Sequence, residues 1–212
     1  MRNNFVKILV LFLLFGTGVS AQDPAKTLPA DLEIPLKYGA ERLEKRQDAS
    51  MRKFRDNRLG LFIHWGLYAI TSGEWNGKLY DGPSSFLLKS ANITPKEWMK
   101  LMDRWNPTNF DAFRWAQMAK RMGVKYLKIT TKHHDGFCLW PSAYSKYTVA
   151  QTPGKRDIIG ELVKAFDAEG IDVHLYYSIL DWSHPDFRYS IKSKEDSIAF
   201  SRFLEFAENQ IK

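Results

Sequence analysis

Three short apolar segments, separated from one another by helix-compatible sequence, constrain the fold of this chain more than any other feature. They cover residues 59–65 (LGLFIHW), 124–131 (VKYLKITT) and 171–178 (IDVHLYYS). Their length and apolar character predict buried β-strands. Strands that alternate with helices predict βαβ units, right-handed crossovers and a parallel sheet. The predicted fold class is therefore α/β.

The predicted helices carry local start and stop signals. Residues 94–97 (TPKE) place a capping Thr before a Pro at the first helical position, with Glu three residues after the cap, and predict a helix that runs to Trp105. Asp157 is predicted to cap a helix over residues 158–169, and a last amphipathic helix is predicted over 194–212. Another helix is predicted over 111–122. Its predicted buried stripe consists of Phe113, Ala116, Met118, Ala119 and Met122.

Polar and aromatic residues cluster where each predicted strand ends. Active sites of (β/α)8 barrels occupy this position. A doubly wound sheet also binds ligands there but usually has a Gly-rich phosphate turn, which this sequence lacks. We therefore predict a partial (β/α)8, TIM-like barrel with about three βα units, since a whole barrel needs roughly 250 residues. The clustered residues are His64, Trp65, His133, His134, Tyr176, Asp181 and Trp182.

The N-terminus has the pattern of a secretory signal peptide. Arg2 and Lys7 precede an apolar run over residues 8–15, and small residues lead up to Ala21. The run is shorter than the roughly 20 apolar residues that span a bilayer. We expect cleavage after Ala21, no membrane span thereafter, and a secreted or periplasmic protein. Residues 22–36 contain three prolines and predict an extended lead-in, which leaves residues 37–212 for the barrel.

Charge and cysteine content exclude several classes of protein. Loss of Arg2 and Lys7 with the signal peptide lowers the formal net charge from +7 to +5, and the remaining cations form no basic stripe. We therefore expect no nucleic-acid partner, and no pattern indicates an oligomeric state. The single Cys138 cannot form an intrachain disulfide, so a packed core must stabilise the exported protein.

The adjacent His133 and His134 permit two interpretations. Chelating pairs are usually separated by one residue on a strand or by three on a helix, and neighbours on a strand point to opposite faces. Neutral histidines that hydrogen-bond hydroxyl groups fit an uncharged ligand better, so we predict no metal and no cofactor. His64 alone is equally compatible with a core position, but His64, His133 and Tyr176 would converge on one mouth if they follow neighbouring parallel strands.

Carboxylates of the sequence give no complete catalytic pair. Glu74-Trp75, in a long polar loop over residues 66–92, could supply a carboxylate and an aromatic platform, or could be a surface pair. Asp135 beside Gly136 is predicted as a turn residue. Retaining glycosidases need two carboxyl groups roughly 5–5.5 Å apart, and no such pair stands out. Ser178 lacks a nucleophile elbow.

Three segments together resemble the α-L-fucosidases of glycoside hydrolase family 29. They are residues 59–68 (LGLFIHWGLY) with Glu74-Trp75, residues 126–140 (YLKITTKHHDGFCLW) and residues 175–182 (LYYSILDW). The middle segment, with PGKRD downstream, is the most specific. The resemblance covers roughly residues 40–212.

This resemblance implies a catalytic (β/α)8-like barrel, usually followed by a β-sandwich. Such enzymes remove terminal α-L-fucose from glycans with retention and without a metal, so the implied partner is a fucosylated oligosaccharide or glycoconjugate. Trp75 would meet the apolar face of the sugar, and the histidines would meet its hydroxyls. The residues implied to line the fucose pocket are His64, Glu74, Trp75, His133, His134 and Tyr176.

The resemblance also implies where the chemistry resides. The nucleophile would be an Asp at the end of the next barrel strand, and the acid/base a Glu or Asp later still, so both are expected beyond Lys212. We therefore expect the chain by itself to be inactive. A non-catalytic fucose-binding module is the alternative, and a metal-dependent barrel hydrolase is a third interpretation.

Overall fold

The three apolar segments of the sequence form one parallel sheet in the computed structural model, which describes residues 49–212. The predicted signal peptide, residues 1–21, and the predicted lead-in, residues 22–36, lie outside the described residues. The described elements, in chain order, are α1 (Ala49–Asp56), β1 (Gly60–Ile63), α2 (Tyr68–Thr71), β2 (Glu74–Trp75), β3 (Lys78–Leu79), α3 (Leu87–Ser90), α4 (Pro95–Met99), α5 (Ala112–Arg121), β4 (Tyr126–Lys132), α6 (Ile158–Ala168), β5 (Asp172–Tyr177) and α7 (Lys194–Ile211).

The sheet has the strand order β1-β4-β5, and both pairings are parallel. Phe62 of β1 pairs with Lys128 of β4, which pairs with His174 of β5. The strands thus lie side by side in the order of the sequence, and their carboxyl ends meet at one edge. The prediction of an α/β fold with a parallel sheet is confirmed.

The core lies against one face of this sheet. Leu127 and Ile129 of β4 are fully buried, and they share a hydrophobic cluster with Ala116 of α5 and Leu162 of α6. Because side chains alternate along a strand, Phe62 and Lys128 belong to the opposite face. The polar residues collect at the carboxyl ends of the strands on that face.

The predicted helix starts are confirmed by their hydrogen bonds. Thr94 accepts from the amide of Glu97, whose carboxylate accepts from the amide of Thr94, and this is a complete capping box. Asp157 accepts from the amide of Gly160 at the start of α6. Since α4 ends at Met99, the rest of that predicted helix is a tighter 3-10 turn over Lys100–Arg104.

The predicted buried stripe of α5 is wrong for its long side chains. Phe113, Met118 and Met122 are 51%, 45% and 64% exposed. The helix instead buries its small side chains, because alanines let its backbone pack closely on the core. The buried residues of α5 are Ala112, Ala116 and Ala119, which follow the i, i+4, i+7 spacing of one helical face.

The segment predicted as a long loop, residues 66–92, is largely structured. It holds α2, the antiparallel hairpin of β2 and β3, a 3-10 turn over Ser84–Phe86, and α3. Asn76 and Gly77, which connect β2 to β3, both have positive φ. An Asn-Gly pair with this geometry is the preferred connection of a two-residue hairpin.

Two expectations from the sequence concern membrane-spanning segments and disulfides. No helix among residues 49–212 is long and apolar enough to cross a membrane. Cys138 is buried and has a free thiol.

Candidate functional site

Four of the predicted site residues lie together at the carboxyl ends of the parallel strands. His64 follows β1, His133 and His134 follow β4, and Tyr176 lies near the end of β5. The ring centroids are 4.1 Å apart for His133 and His134, 5.5 Å for His64 and His133, and 6.3 Å for His64 and Tyr176. The convergence expected from three neighbouring parallel strands is therefore observed.

The two adjacent histidines lie in a turn after the strand. β4 has a register shift between Thr130 and Lys132 and ends at Lys132, and the amide of Gly136 then donates to the carbonyl of His133. The expectation that neighbouring histidines point to opposite faces is therefore wrong, because their backbone is no longer extended. Within residues 49–212, however, no group of three His, Cys, Asp or Glu side chains could hold a metal ion.

Glycine is required in this turn. Gly136 has a φ of +83°, and a Cβ at this position would overlap the Ser183 hydroxyl and approach a carboxylate oxygen of Asp181. The segment after β4 can therefore pack directly on the segment after β5. This close approach brings the side chains of the two strand ends to one place.

All three histidines of the cluster favour the neutral state. Burial lowers the pKa of His133 to about 3, and the neighbouring His134 and His64 reinforce this effect. Burial also lowers the pKa of His134, assisted by the charge of Lys132. The pKa of His64 is lowered by burial and by Lys128. A neutral imidazole offers one N–H donor and one acceptor, which matches the donor and acceptor character of a hydroxyl group.

Hydrogen bonds fix the tautomer of His134. Its Nδ1 lies 2.6 Å from the hydroxyl oxygen of Ser178, and that hydroxyl donates to the carbonyl of Leu180 at 2.9 Å. Since the single proton of Ser178 is used for Leu180, Nδ1 of His134 must carry the proton and donate to Ser178. Nε2 is then left as an acceptor for a ligand.

Aromatic side chains enclose the histidine cluster. Phe86 meets His134 edge-on, with ring centroids 5.4 Å apart, and also contacts Trp182 at 5.4 Å. Trp182 lies 5.1 Å from His134, and Tyr68 meets His133 edge-on at 5.5 Å. None of these three aromatic residues is among the pocket residues predicted from the sequence. Trp182 follows a strand end, which was a usable signal, whereas Phe86 lies in the long loop without any pattern.

Glu74 and Trp75 are not in direct contact with the histidines. They form β2 of the hairpin, where Glu74 is exposed and Trp75 is half-buried. Among the described residues, the ring contact of Trp75 is with Trp98, at 6.0 Å and an interplanar angle of 35°. Trp98 in turn donates from Nε1 to a carboxylate oxygen of Asp135 at 2.9 Å. The structure thus connects Trp75 to the histidine turn only through buried side chains.

The two carboxylates nearest the histidines are buried and already bonded to protein groups. Asp135 is 1% exposed and accepts from Trp98 and from the amide of Phe137. Asp181 is 2% exposed and forms an ion pair with Lys132 at 2.8 Å. Burial raises the pKa of Asp135 to about 6. Both carboxylates are thus engaged by protein groups. Asp135 does lie in the predicted turn, but its side chain is buried in the interior.

Two cavities flank the sheet. One, of about 580 Å³, is lined by His64 and Tyr68 together with residues 83–85. The other, of about 390 Å³, involves Leu175 and Tyr177, which alternate with Tyr176 and therefore point away from the histidines. Both sizes are typical of small-molecule sites, but of these two cavities only the one beside His64 is lined by a residue of the histidine cluster.

Comparison with known proteins identifies relatives of one kind. The family model described as Alpha-L-fucosidase matches residues 30–212. The chain is 32% identical to the tissue α-L-fucosidase of Bos taurus over 141 residues, which cover 62% of this chain and 30% of the bovine protein.

Solved structures give the same result. The chain resembles an α-L-fucosidase of glycoside hydrolase family 29 from Bacteroides thetaiotaomicron with a TM-score of 0.77 and 71% identity, over 79% of this chain and 38% of that one. That enzyme has also been trapped as a covalent intermediate with 2-fluoro-fucosyl fluoride. The α-L-fucosidase AlfC of Lactobacillus casei matches with a TM-score of 0.61 and 40% identity, over 63% of this chain and 41% of that one.

These matches cover only part of each relative. The chain spans between 24% and 32% of the length of the first curated relatives. It spans 38% of the Bacteroides enzyme.

Proposed function

The chain belongs to the α-L-fucosidase family, glycoside hydrolase family 29, and we propose that it supplies the sugar-binding part of an exo-acting, retaining α-L-fucosidase. The substrate is a terminal α-L-fucose of a fucosylated oligosaccharide or glycoconjugate. The single observation that carries this proposal is the cluster of three neutral histidines inside an aromatic wall at the ends of parallel strands.

The chemistry of the cluster suits an uncharged sugar. L-Fucose presents hydroxyl groups, which donate and accept hydrogen bonds, and a C6 methyl group, which is apolar. Nε2 of His134 accepts from a hydroxyl, and the hydroxyl of Tyr176 both donates and accepts. The rings of Phe86 and Trp182 offer apolar surface for the methyl group and the C–H face. Lys132, the buried cation at this strand end, is already paired with Asp181, so it is not available to bind an anionic group.

A retaining mechanism passes through a covalent glycosyl-enzyme and needs a nucleophilic carboxylate with an acid/base partner. The Bacteroides relative has been trapped at such a covalent stage, which supports the same mechanism for this family member. Because Asp135 and Asp181 are buried and engaged, we assign neither role to them. We propose that other carboxylates supply the nucleophile and the acid/base, in a (β/α)8 barrel of which β1, β4 and β5 are consecutive strands.

A non-catalytic fucose-binding module is the second candidate. It is favoured by one observation: the described site offers sugar-binding groups without a free pair of carboxylates. Both candidates predict that this chain binds L-fucose without turnover, and they differ in whether the protein that the gene encodes in full hydrolyses α-L-fucosides.

The test combines calorimetric titration of the chain with L-fucose and a turnover assay with an aryl α-L-fucoside. We expect heat of binding with L-fucose and at least tenfold weaker binding of its mirror image D-fucose, a ratio equivalent to about 1.4 kcal/mol. The same chain should release no aryl alcohol. Absence of L-fucose binding would refute the assignment, and robust turnover would show that carboxylates of this chain supply the nucleophile and the acid/base.

Localisation is a separate proposal. We propose export to the periplasm or the medium, with cleavage after Ala21, because residues 1–21 have the composition of a signal peptide. N-terminal sequencing of protein recovered from outside the cytoplasm should begin at Gln22. Recovery of the chain with Met1 intact in the cytoplasm would contradict this.

A further inference from the structure

The turn after β4 and the hairpin that carries Trp75 are linked by one buried hydrogen bond. Asp135 directly follows His134, and its Oδ2 accepts from Nε1 of Trp98 at 2.9 Å. Trp98 has no exposed surface and contacts the ring of Trp75. A covalent bond, a hydrogen bond and a ring contact therefore connect the histidine pair to the aromatic residue of the hairpin.

We propose that Asp135 is a positioning residue, which holds Trp75 at a fixed distance from His133 and His134 so that one monosaccharide is bound between ring and histidines. This proposal rests on the proposed function, because the ligand in question is the L-fucose unit. Asp135 itself is 1% exposed and does not reach the sugar. Its effect is exerted through the indole of Trp98.

The choice of a carboxylate at this position supports a positioning role. Oδ1 of Asp135 accepts from the amide of Phe137 at 3.2 Å, while Oδ2 accepts from Trp98. Two N–H donors thus converge on the two oxygens of one side chain. An asparagine of the same size has only one acceptor, so its amide N–H₂ would face one of these donors. Either the turn or the indole would have to move.

Burial makes this arrangement costly unless both donors stay in place. A buried carboxylate loses its hydration and depends on protein hydrogen bonds to remain charged. The raised pKa of Asp135, about 6, reflects this loss, with Asp181 raising it further and Lys132 opposing it. A merely space-filling residue between the two segments would be apolar.

The test uses the full chain with fluorinated tryptophan and compares Asp135→Asn with Asp111→Asn. Asp111 caps α5 by accepting from the amide of Arg114 and touches neither Trp75 nor Trp98 in the described contacts. The ¹⁹F signal of Trp75, assigned with Trp75→Phe, is recorded without sugar. We expect it to shift in Asp135→Asn, although these two side chains do not touch, and to stay unchanged in Asp111→Asn.

Sugar binding gives the second readout. We expect Asp135→Asn to weaken L-fucose binding by roughly tenfold, the scale of coupling within a contacting network. Trp98→Phe keeps a ring but removes the N–H, so it should weaken binding similarly and also move the Trp75 signal. In the Trp98→Phe background, Asp135→Asn should then weaken L-fucose binding little further.

The outcomes separate the two proposals. A Trp75 signal that stays unchanged in folded Asp135→Asn would overturn the positioning role, whatever Trp98→Phe does, because Trp98 contacts the Trp75 ring directly. If Asp135→Asn does not fold, the L-fucose affinity of folded Trp98→Phe decides, and an unchanged affinity would overturn the positioning role. A wild-type chain that shows the shift on substitution but binds no L-fucose would refute the proposed function, while the link between Asp135 and Trp75 would stand.

Discussion

Nζ of Lys132 lies 2.8 Å from Oδ2 of Asp181, and both side chains are removed from solvent. Lys132 is the last residue of β4, and Asp181 lies in the segment after β5. The ion pair therefore joins the two strand ends that deliver His133 and Tyr176. Asp181 also accepts from the amides of Ser183 and His184 through Oδ1, so its carboxylate organises the segment after β5 as well.

The two residues of this ion pair should contribute unequally to the stability of the fold. Asp181→Ala leaves a buried ammonium without a counter-ion and should lower the free energy of unfolding by about 3–5 kcal/mol. Lys132→Met removes the cation but leaves Asp181 with its donors from Ser183 and His184, so this variant should lower the free energy of unfolding by less. Urea denaturation of both variants measures the difference. Equal losses for the two variants, or a larger loss for Lys132→Met, would contradict this account.

Two glycines with similar backbone angles should respond differently to alanine. Gly77 has a φ of +76° and open space where a Cβ would lie, so Gly77→Ala should cost only the left-handed conformation, about 1–2 kcal/mol. Gly136 has a φ of +83°, and its Cβ would overlap Ser183 and crowd Asp181. Gly136→Ala should therefore cost at least about 1 kcal/mol more, the usual scale for overpacking. Thermal unfolding of the two variants tests the difference. Equal melting temperatures would show that the segments after β4 and β5 can move apart to make room for the Cβ.

The sequence was sufficient for features that depend on local signals. The strands were predictable because each apolar run has the length of a buried strand, and the ends of these runs carry the histidines. The capping box at Thr94 was predictable because all of its groups lie within four residues. Convergence of His64, His133 and Tyr176 followed from parallel pairing alone.

Features that depend on distant partners were not predictable. The sequence around Asp135 indicates only a turn residue, because its partner, Trp98, lies 37 positions earlier in the chain. The stripe predicted for α5 rested on apolar character, which includes Phe113 and Met118. The helix instead packs on the core through its small alanines. Phe86 became part of the site only because the loop over residues 66–92 folds back over the histidines.

The stability of the fold should depend on pH through His133. Its pKa is lowered to about 3, mainly by burial, from an ordinary value of 6.5. Between these values the unfolded chain binds a proton that the folded chain does not, so stability is complete above about pH 6.5 and falls as the pH is lowered towards 3. Lowering the pH from about 7 to about 5 should cost about 2 kcal/mol through this residue.

Comparison of wild type with His133→Gln isolates this effect. Asp135, whose pKa is raised to about 6, acts in the opposite direction as the pH falls below 6, but it is present in both proteins. The unfolding free energy of His133→Gln should therefore fall less steeply between pH 7 and pH 5, as measured by urea denaturation at each pH. Parallel pH profiles would mean that His133 is protonated in the folded protein.

The last prediction concerns the tautomer of His134. In the wild-type protein, ¹⁵N chemical shifts of the imidazole should show a protonated Nδ1 and an unprotonated Nε2, because Ser178 donates its own proton to Leu180. Ser178→Ala removes the acceptor for Nδ1–H, so the tautomers should mix and L-fucose binding should weaken by about tenfold, which corresponds to about 1.4 kcal/mol. Ser142→Ala is the matched control, since Ser142 is a buried serine that bonds to Gln210 away from the histidines. A wild-type spectrum with the proton on Nε2 would reverse the assignment and make His134 a donor to the sugar, and equal loss of binding in both serine variants would trace the effect to general stability.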